Sequence, residues 1–209
     1  MGSKGTLPRR LMSQSPSIHR EVFERSLRDA DEALTTFRRS PEAMDACAAL
    51  GEALTETYRN GGKAMAAGNG GSMADALHFA EELTGRFRAE RRPLPAMALG
   101  ESTHLTCVSN DYGFDVVFSR LVEAFGQPGD LLVLLSTSGN SRNLVLAAEA
   151  ARAKGVKVVG MLGRGGGQLA PLCDLVVMAP GSTSDRIQEI HMLVLHVAIE
   201  AAERALGLA

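Results

Sequence analysis

Two histidines, a glutamate and a glutamine carry the chemistry open to this sequence. His78 and Glu82 stand four residues apart in an alanine-rich segment, which sets both side chains on one face of a helix. Gln188 and His196 stand eight apart in a second segment, amid the apolar run Met192 to Val197, and again fall on nearly the same side. A carboxylate beside an imidazole offers general acid–base chemistry, and the four residues together offer a metal-ligand set. A lone His or Gln on such a face is most often a satisfied core residue, so a site exists only if the two helices meet. Glu81 lies about 100° round the helix and reads as a solvated partner of an arginine. His191, at a different angle from Gln188, ranks second to His196 as a functional histidine.

Two loops could hold the rest of a substrate. Gly68-Asn69-Gly70-Gly71-Ser72 joins an apolar run to the helical segment Met73 to Phe87, a strand, glycine turn and helix start. Glycines let backbone approach a ligand, and the helix start offers unpaired N–H groups and a positive dipole end. The plain alternative is a βα connection with Ser72 as N-cap. Ser136-Thr137-Ser138-Gly139-Asn140-Ser141 then sets four hydroxyls at the mouth of a buried strand, just before a helix over Arg142 to Ala153, which suits a phosphate monoester. No GxxxxGK[ST] occurs, which disfavours nucleotide triphosphate hydrolysis.

The elements that must position these groups follow from periodicity. Val22, Leu27, Ala30, Ala33, Leu34 and Phe37 repeat at helical spacing from Ser17 and stop before Ser40-Pro41. Ser40 caps a second helix beginning at Pro41 and ending at Asn60-Gly61-Gly62. Apolar runs at Ala64 to Ala67, Ala96 to Leu99, Leu131 to Leu135, Val156 to Leu162 and Leu175 to Met178 then alternate with helical or loop segments. That pattern predicts a parallel sheet covered on both faces, with ligands at the strands' carboxyl ends. The last helix runs Ser184 to Leu206, capped by Ser182, Ser184 or Asp185.

At 209 residues the chain suits one α/β domain over 17–209, preceded by a polar tail, 1–16, read as disordered. A net charge of −2 gives no general attraction to nucleic acid or anionic membrane. Cys47, Cys107 and Cys173 show no metal spacing and read as buried thiols in a reducing compartment. Without an apolar leader or a span of about 20 apolar residues, a cytoplasmic location is expected.

The motifs together resemble those of the bacterial phosphoheptose isomerases. The likeness is carried by Gly68-Asn69-Gly70-Gly71-Ser72, Asp75, His78-Phe79-Ala80-Glu81-Glu82-Leu83-Thr84-Gly85-Arg86, Ser109-Asn110-Asp111-Tyr112-Gly113, the serine loop and Asp185-Arg186-Ile187-Gln188-Glu189-Ile190-His191. The resemblance implies the sugar isomerase (SIS) fold, a flavodoxin-like three-layer α/β/α sandwich with a five-stranded parallel sheet, assembled as a homotetramer with interfacial active sites. It implies conversion of sedoheptulose 7-phosphate to D-glycero-D-manno-heptose 7-phosphate, an early step toward surface lipopolysaccharide. Residues matching Ser136, Thr137, Ser138 and Ser141 would hold phosphate, and those matching Asn69, Gly70, Gly71, Asn110 and Asp111 the sugar. Ser72, Asp185 and Gln188, in the same motifs, join the substrate-binding candidates. Glu82 would be the base and His196 its partner, with zinc on His78, Glu82, Gln188 and His196 as in some members. A zinc-ligating glutamate is a poorer base, so the metal could instead polarise the carbonyl. The fold also serves non-catalytic tetramers that bind a replication initiator, and sugar-phosphate sensors. The initiator binders lack the residues matching Glu82 and His196, which favours an enzyme here. Another phosphosugar, such as arabinose 5-phosphate, is the nearer alternative.

Overall fold

The computed structural model describes residues 17–209; the tail expected at 1–16 lies outside the described residues. Two helices come first, α1 (Ile18–Arg39) and α2 (Pro41–Arg59). Ser17 Oγ accepts from the Arg20 N–H and Ser40 Oγ from the Ala43 N–H, so both helices start at the hydroxyl caps the sequence offers. Pro41 occupies the first turn of α2, where its missing N–H costs nothing.

Five parallel strands follow: β1 (Ala64–Gly68), β2 (Ala96–Ala98), β3 (Leu131–Ser136), β4 (Lys157–Leu162) and β5 (Leu175–Met178), in the order β2-β1-β3-β4-β5. This is the flavodoxin-like winding, and the strand order reverses between β1 and β3. Ligands of such sheets bind beyond the carboxyl ends at that reversal, where the glycine and serine loops both emerge.

Helices α3 (Gly71–Thr84), α4 (Ser102–Tyr112), α5 (Val117–Phe125), α6 (Arg142–Ala153) and α7 (Ser184–Ala205) complete the chain. Alternate residues of β3 feed opposite layers. Leu131, Val133 and Leu135 pack with Leu54, Phe79 and Leu195 from α2, α3 and α7, whereas Leu132 and Leu134 pack with Phe118 and Leu144 from α5 and α6. Strands buried on both faces explain the unbroken apolar runs in the sequence.

Several expectations need correction. Ser72 is not the cap of α3: Gly70 is, at φ 57°, a left-handed value that glycine takes without strain, and Ser72 lies buried in the first turn. α3 stops at Thr84 rather than running to Phe87, because Gly85 leaves the helical region. α7 is capped by Thr183, with no side-chain cap bond, instead of Ser182, Ser184 or Asp185. Glu101 caps α4, taking the N–H groups of Thr103 and His104, and neither α4 nor α5 is among the helices expected above, although Val117, Phe118, Leu121 and Val122 give α5 a clear apolar face. None of the three cysteines is buried: Cys47 and Cys173 are half-buried and Cys107 is exposed on α4.

Candidate active site

The two helices do meet. α3 and α7 pack side by side, and a Cβ placed on Gly71 would stand 2.7 Å from the Gln188 amide, which measures how closely the two helices approach there. Farther along both helices, His78 Nε2 lies 3.1 Å from His196 Nε2 and 3.4 Å from Glu82 Oε1. The imidazoles meet edge to face with centroids 5.2 Å apart, and the Phe87 ring stacks on His196 at 5.6 Å. With both imidazoles neutral, one Nε2 donates to the other. Glu81 is exposed and its partner is His78, at 3.6 Å, rather than an arginine.

His78, Glu82 and His196 form a group that could hold a metal ion, with donor atoms all within 4.8 Å of one another. Tetrahedral zinc with bonds of about 2.0–2.1 Å sets neighbouring donors about 3.3 Å apart, which the two spacings from His78 match. Gln188 stands away from this trio. It is eight residues from His196, about 12 Å along the axis, and its Nε2 donates instead to Ser72 Oγ at 3.3 Å.

That contact puts Gln188 in a pocket of about 180 Å3 lined by Asn69, Ser72, the serine loop and Ser184. Ser136, buried, uses its Oγ to accept the Gly139 N–H at 2.9 Å and so shapes the loop. Thr137 Oγ1 pairs with Ser184 Oγ at 3.1 Å. Ser141 is the N-cap of α6 but makes no side-chain cap bond, which leaves its hydroxyl for a ligand. The pocket thus offers hydroxyls at a helix start, the chemistry of a phosphate site without lysine.

Not every candidate reaches this place within the protomer. Gly70 and Gly71 shape the glycine turn, and Asn69 is tied to the buried Asn143 by reciprocal amide bonds of 3.0 and 2.9 Å. Asn110 and Asp111 sit exposed at the end of α4 and bond to each other at 2.8 Å. Asp185 is exposed beside Arg186, 3.2 Å away. Sequence spacing missed Asn143, whose role depends on a contact across 74 positions. Asp75, part of the resemblance but given no role there, stands one turn before His78 on the same stripe of α3. Burial raises the Asp75 carboxyl to about 6 against the pull of His78, and its Oδ2 is buried with no hydrogen-bond partner.

His191 is enclosed and structural. Its Nε2–H donates to the Leu162 carbonyl at 3.3 Å, and burial outweighs that bond to lower its pKa to about 4. The unfolded chain therefore binds this proton more readily, and stability, full above about pH 6.5, declines as the pH falls toward 4. His191→Gln, which cannot take up the proton, is expected to lose less stability than the parent between pH 7 and pH 5, measured as the shift of the urea midpoint.

No helix among the described residues is long and apolar enough to cross a membrane. A family model described as the SIS domain matches residues 28–163. The chain is 49% identical over 173 residues to a phosphoheptose isomerase of Fusobacterium nucleatum subsp. nucleatum, covering 83% of this chain and 89% of that protein. It is 45% identical over 188 residues to a phosphoheptose isomerase of Yersinia pestis (strain Pestoides F), covering 90% and 97%. Among solved structures, the phosphoheptose isomerase of Neisseria gonorrhoeae superposes with a TM-score of 0.83 at 36% identity, over 89% of this chain and 99% of that one.

Proposed function

The chain belongs to the SIS domain family, among its phosphoheptose isomerases, and from that premise we propose that it isomerises sedoheptulose 7-phosphate to D-glycero-D-manno-heptose 7-phosphate. It is a sugar-phosphate isomerase. The observation that carries the substrate reading is the pairing of a hydroxyl-lined pocket with a Glu–His–His trio along one pair of helices. From Ser72 to His78 the rise along α3 is about 9 Å, a span on the scale of an extended sugar phosphate.

Aldose–ketose isomerisation moves a proton between C1 and C2 through an enediolate. Glu82 is the group of the right type to take the carbon-bound proton, and His196 to move protons between the two oxygens. The Ser136–Ser141 loop anchors the phosphate and so fixes the reacting carbons against that pair, binding energy from the far end being used for orientation. Asn69, Ser72 and Gln188 line the pocket, and Gly70, Gly71, Asp185, Asn110 and Asp111 are proposed to contact the sugar, the last three once subunits assemble.

Zinc fits the trio, and His78, Glu82 and His196 would hold it, with Gln188 brought in only by a change from the arrangement described above. A zinc ion there would polarise the carbonyl and hydroxyl oxygens of the sugar. Elemental analysis of purified protein is expected to find zinc near one per chain, and His78→Ala to lose it while keeping the helical signal of the parent.

A homotetramer is proposed on the exposed apolar surface. Ile18, Val22, Phe23 and Leu27 of α1 and Leu193 and Val197 of α7 are all exposed, more large apolar side chain than an isolated subunit normally leaves in water. Because Leu193 and Val197 flank His196, covering them would also enclose the trio. A cytoplasmic role in lipopolysaccharide heptose supply completes the reading. Its test is incubation of the purified protein with sedoheptulose 7-phosphate followed by NMR. Appearance of the aldoheptose phosphate supports it, and no conversion at enzyme concentrations approaching those of the substrate refutes it.

A further inference from the structure

The serine pocket has hydroxyls and amides in its lining but no cation, although a phosphate ester is a dianion near neutral pH. Arg164 stands at its edge. The Gly166 N–H donates to the Gly163 carbonyl at 2.9 Å, and the two residues between, Arg164 and Gly165, have φ of 48° and 81°. Positive φ at both central positions is type I′ geometry, which asparagine and glycine ordinarily fill. Arg164 is the only non-glycine residue with positive φ among the described residues. Its side chain gains no local hydrogen bond that would favour this conformation, so the arginine serves a purpose other than the turn.

The turn is fastened to the serine loop. The Gly163 N–H donates to the Ser136 carbonyl at 3.2 Å, the Leu169 N–H to the Gly139 carbonyl at 2.9 Å and the Gln168 N–H to Asn140 Oδ1 at 3.1 Å. A Cβ on Gly139 would overlap the Gly166 carbonyl oxygen. From this anchored base Arg164 Nη2 donates to Ser184 Oγ at 3.3 Å, the same hydroxyl that pairs with Thr137 in the pocket wall. Among the described residues no carboxylate pairs with Arg164, and the nearest acid in sequence to that hydroxyl, Asp185, is paired with Arg186 at 3.2 Å.

We infer that Arg164 is the cation of the phosphate subsite, leaving the Ser184 hydroxyl to bond the phosphate of the bound sugar and so selecting phosphorylated over free sugars. The inference rests on the substrate reading above and adds to it a residue that none of the matched motifs contains. A guanidinium suits the task, since its fork meets two phosphate oxygens at once.

Arg164→Gly removes the guanidinium while keeping the left-handed turn. For sedoheptulose 7-phosphate the expected result is a KM raised about ten- to a hundredfold, the worth of a charge-assisted hydrogen bond, with a smaller change in kcat. Without ligand the variant should melt at the same temperature as the parent or higher, because glycine suits this φ. Arg164→Lys should recover part of the affinity, and inorganic phosphate should protect the parent against thermal unfolding more than Arg164→Gly. An unchanged KM, a loss confined to kcat, or a lower melting temperature that Arg164→Lys restores without any change in KM would overturn the assignment. Should the parent fail to convert the heptulose phosphate, the substrate reading falls, and the phosphate-protection comparison still decides the role of Arg164.

Discussion

Glu82→Gln is expected to abolish turnover of sedoheptulose 7-phosphate while leaving the fold and assembly unchanged. Glutamine keeps the size and polarity of the side chain, which is only 16% exposed and touches His78. What it lacks is a carboxylate able to accept a proton from carbon. General acid–base groups contribute on the order of 10²–10⁴-fold, so the fall in kcat should reach at least that range, with KM little changed because the phosphate anchor is intact. His196→Ala should act in the same direction, removing the imidazole placed to shuttle protons between oxygens. A coupled assay at several enzyme concentrations, beside thermal melts of each variant, separates lost chemistry from lost structure. Full activity in both variants would remove the assigned roles.

The second large effect is on stability. Arg91 is buried and bonds to Glu203 of α7 at 2.6 Å, while its Nη atoms donate to the carbonyls of Glu82 and Leu83 at the end of α3 and of Gly85 just beyond. One guanidinium therefore satisfies the orphan carbonyls where α3 stops and ties that end to the helix bearing His196. Glu203 follows His196 by seven residues, two turns along α7, so the tie holds the end of α3 that carries Glu82 to the helix that carries His196. Arg91→Met leaves a buried carboxylate unpaired and is expected to cost about 3–5 kcal/mol, read from the urea midpoint. Adding Glu203→Leu should restore much of that stability, since an apolar pair avoids the desolvation penalty. It should not restore full turnover, because the last turn of α3, which carries Glu82, has lost the donors for its carbonyls. Recovery of both together would show the ion pair to be structural only.

What the sequence made legible was local. Ser40-Pro41 marks the start of α2, the span Arg142 to Ala153 marks α6, and five apolar runs mark the strands, because caps and periodicity act over a few residues. The two ligand loops could be read for the same reason, each being a short stretch between a strand and a helix. Helices α4 and α5 escaped notice: α4 is mostly polar and exposed, with Val108 as its buried residue, so it has little apolar periodicity to read. The contacts that complete the site are long-range and left no local mark. Asn69 with Asn143, Arg91 with Glu203 and Arg164 with Ser184 each depend on how the winding brings distant strand ends and helix ends together. Gln188 shows a limit of spacing: it lies on the same side of α7 as His196 but two turns away, and within the protomer its amide reaches Ser72 in the serine pocket.

The central claim is that Glu82 moves a carbon-bound proton of a sugar whose phosphate sits in the serine pocket. The most direct measurement follows sedoheptulose 7-phosphate by proton NMR in deuterium oxide with parent protein and with Glu82→Gln. The account predicts that the parent removes a C1 proton of the ketose and that deuterium from solvent enters C2 as the aldose forms, and that Glu82→Gln does neither. Deuterium entering the sugar as fast with Glu82→Gln as with the parent would contradict it.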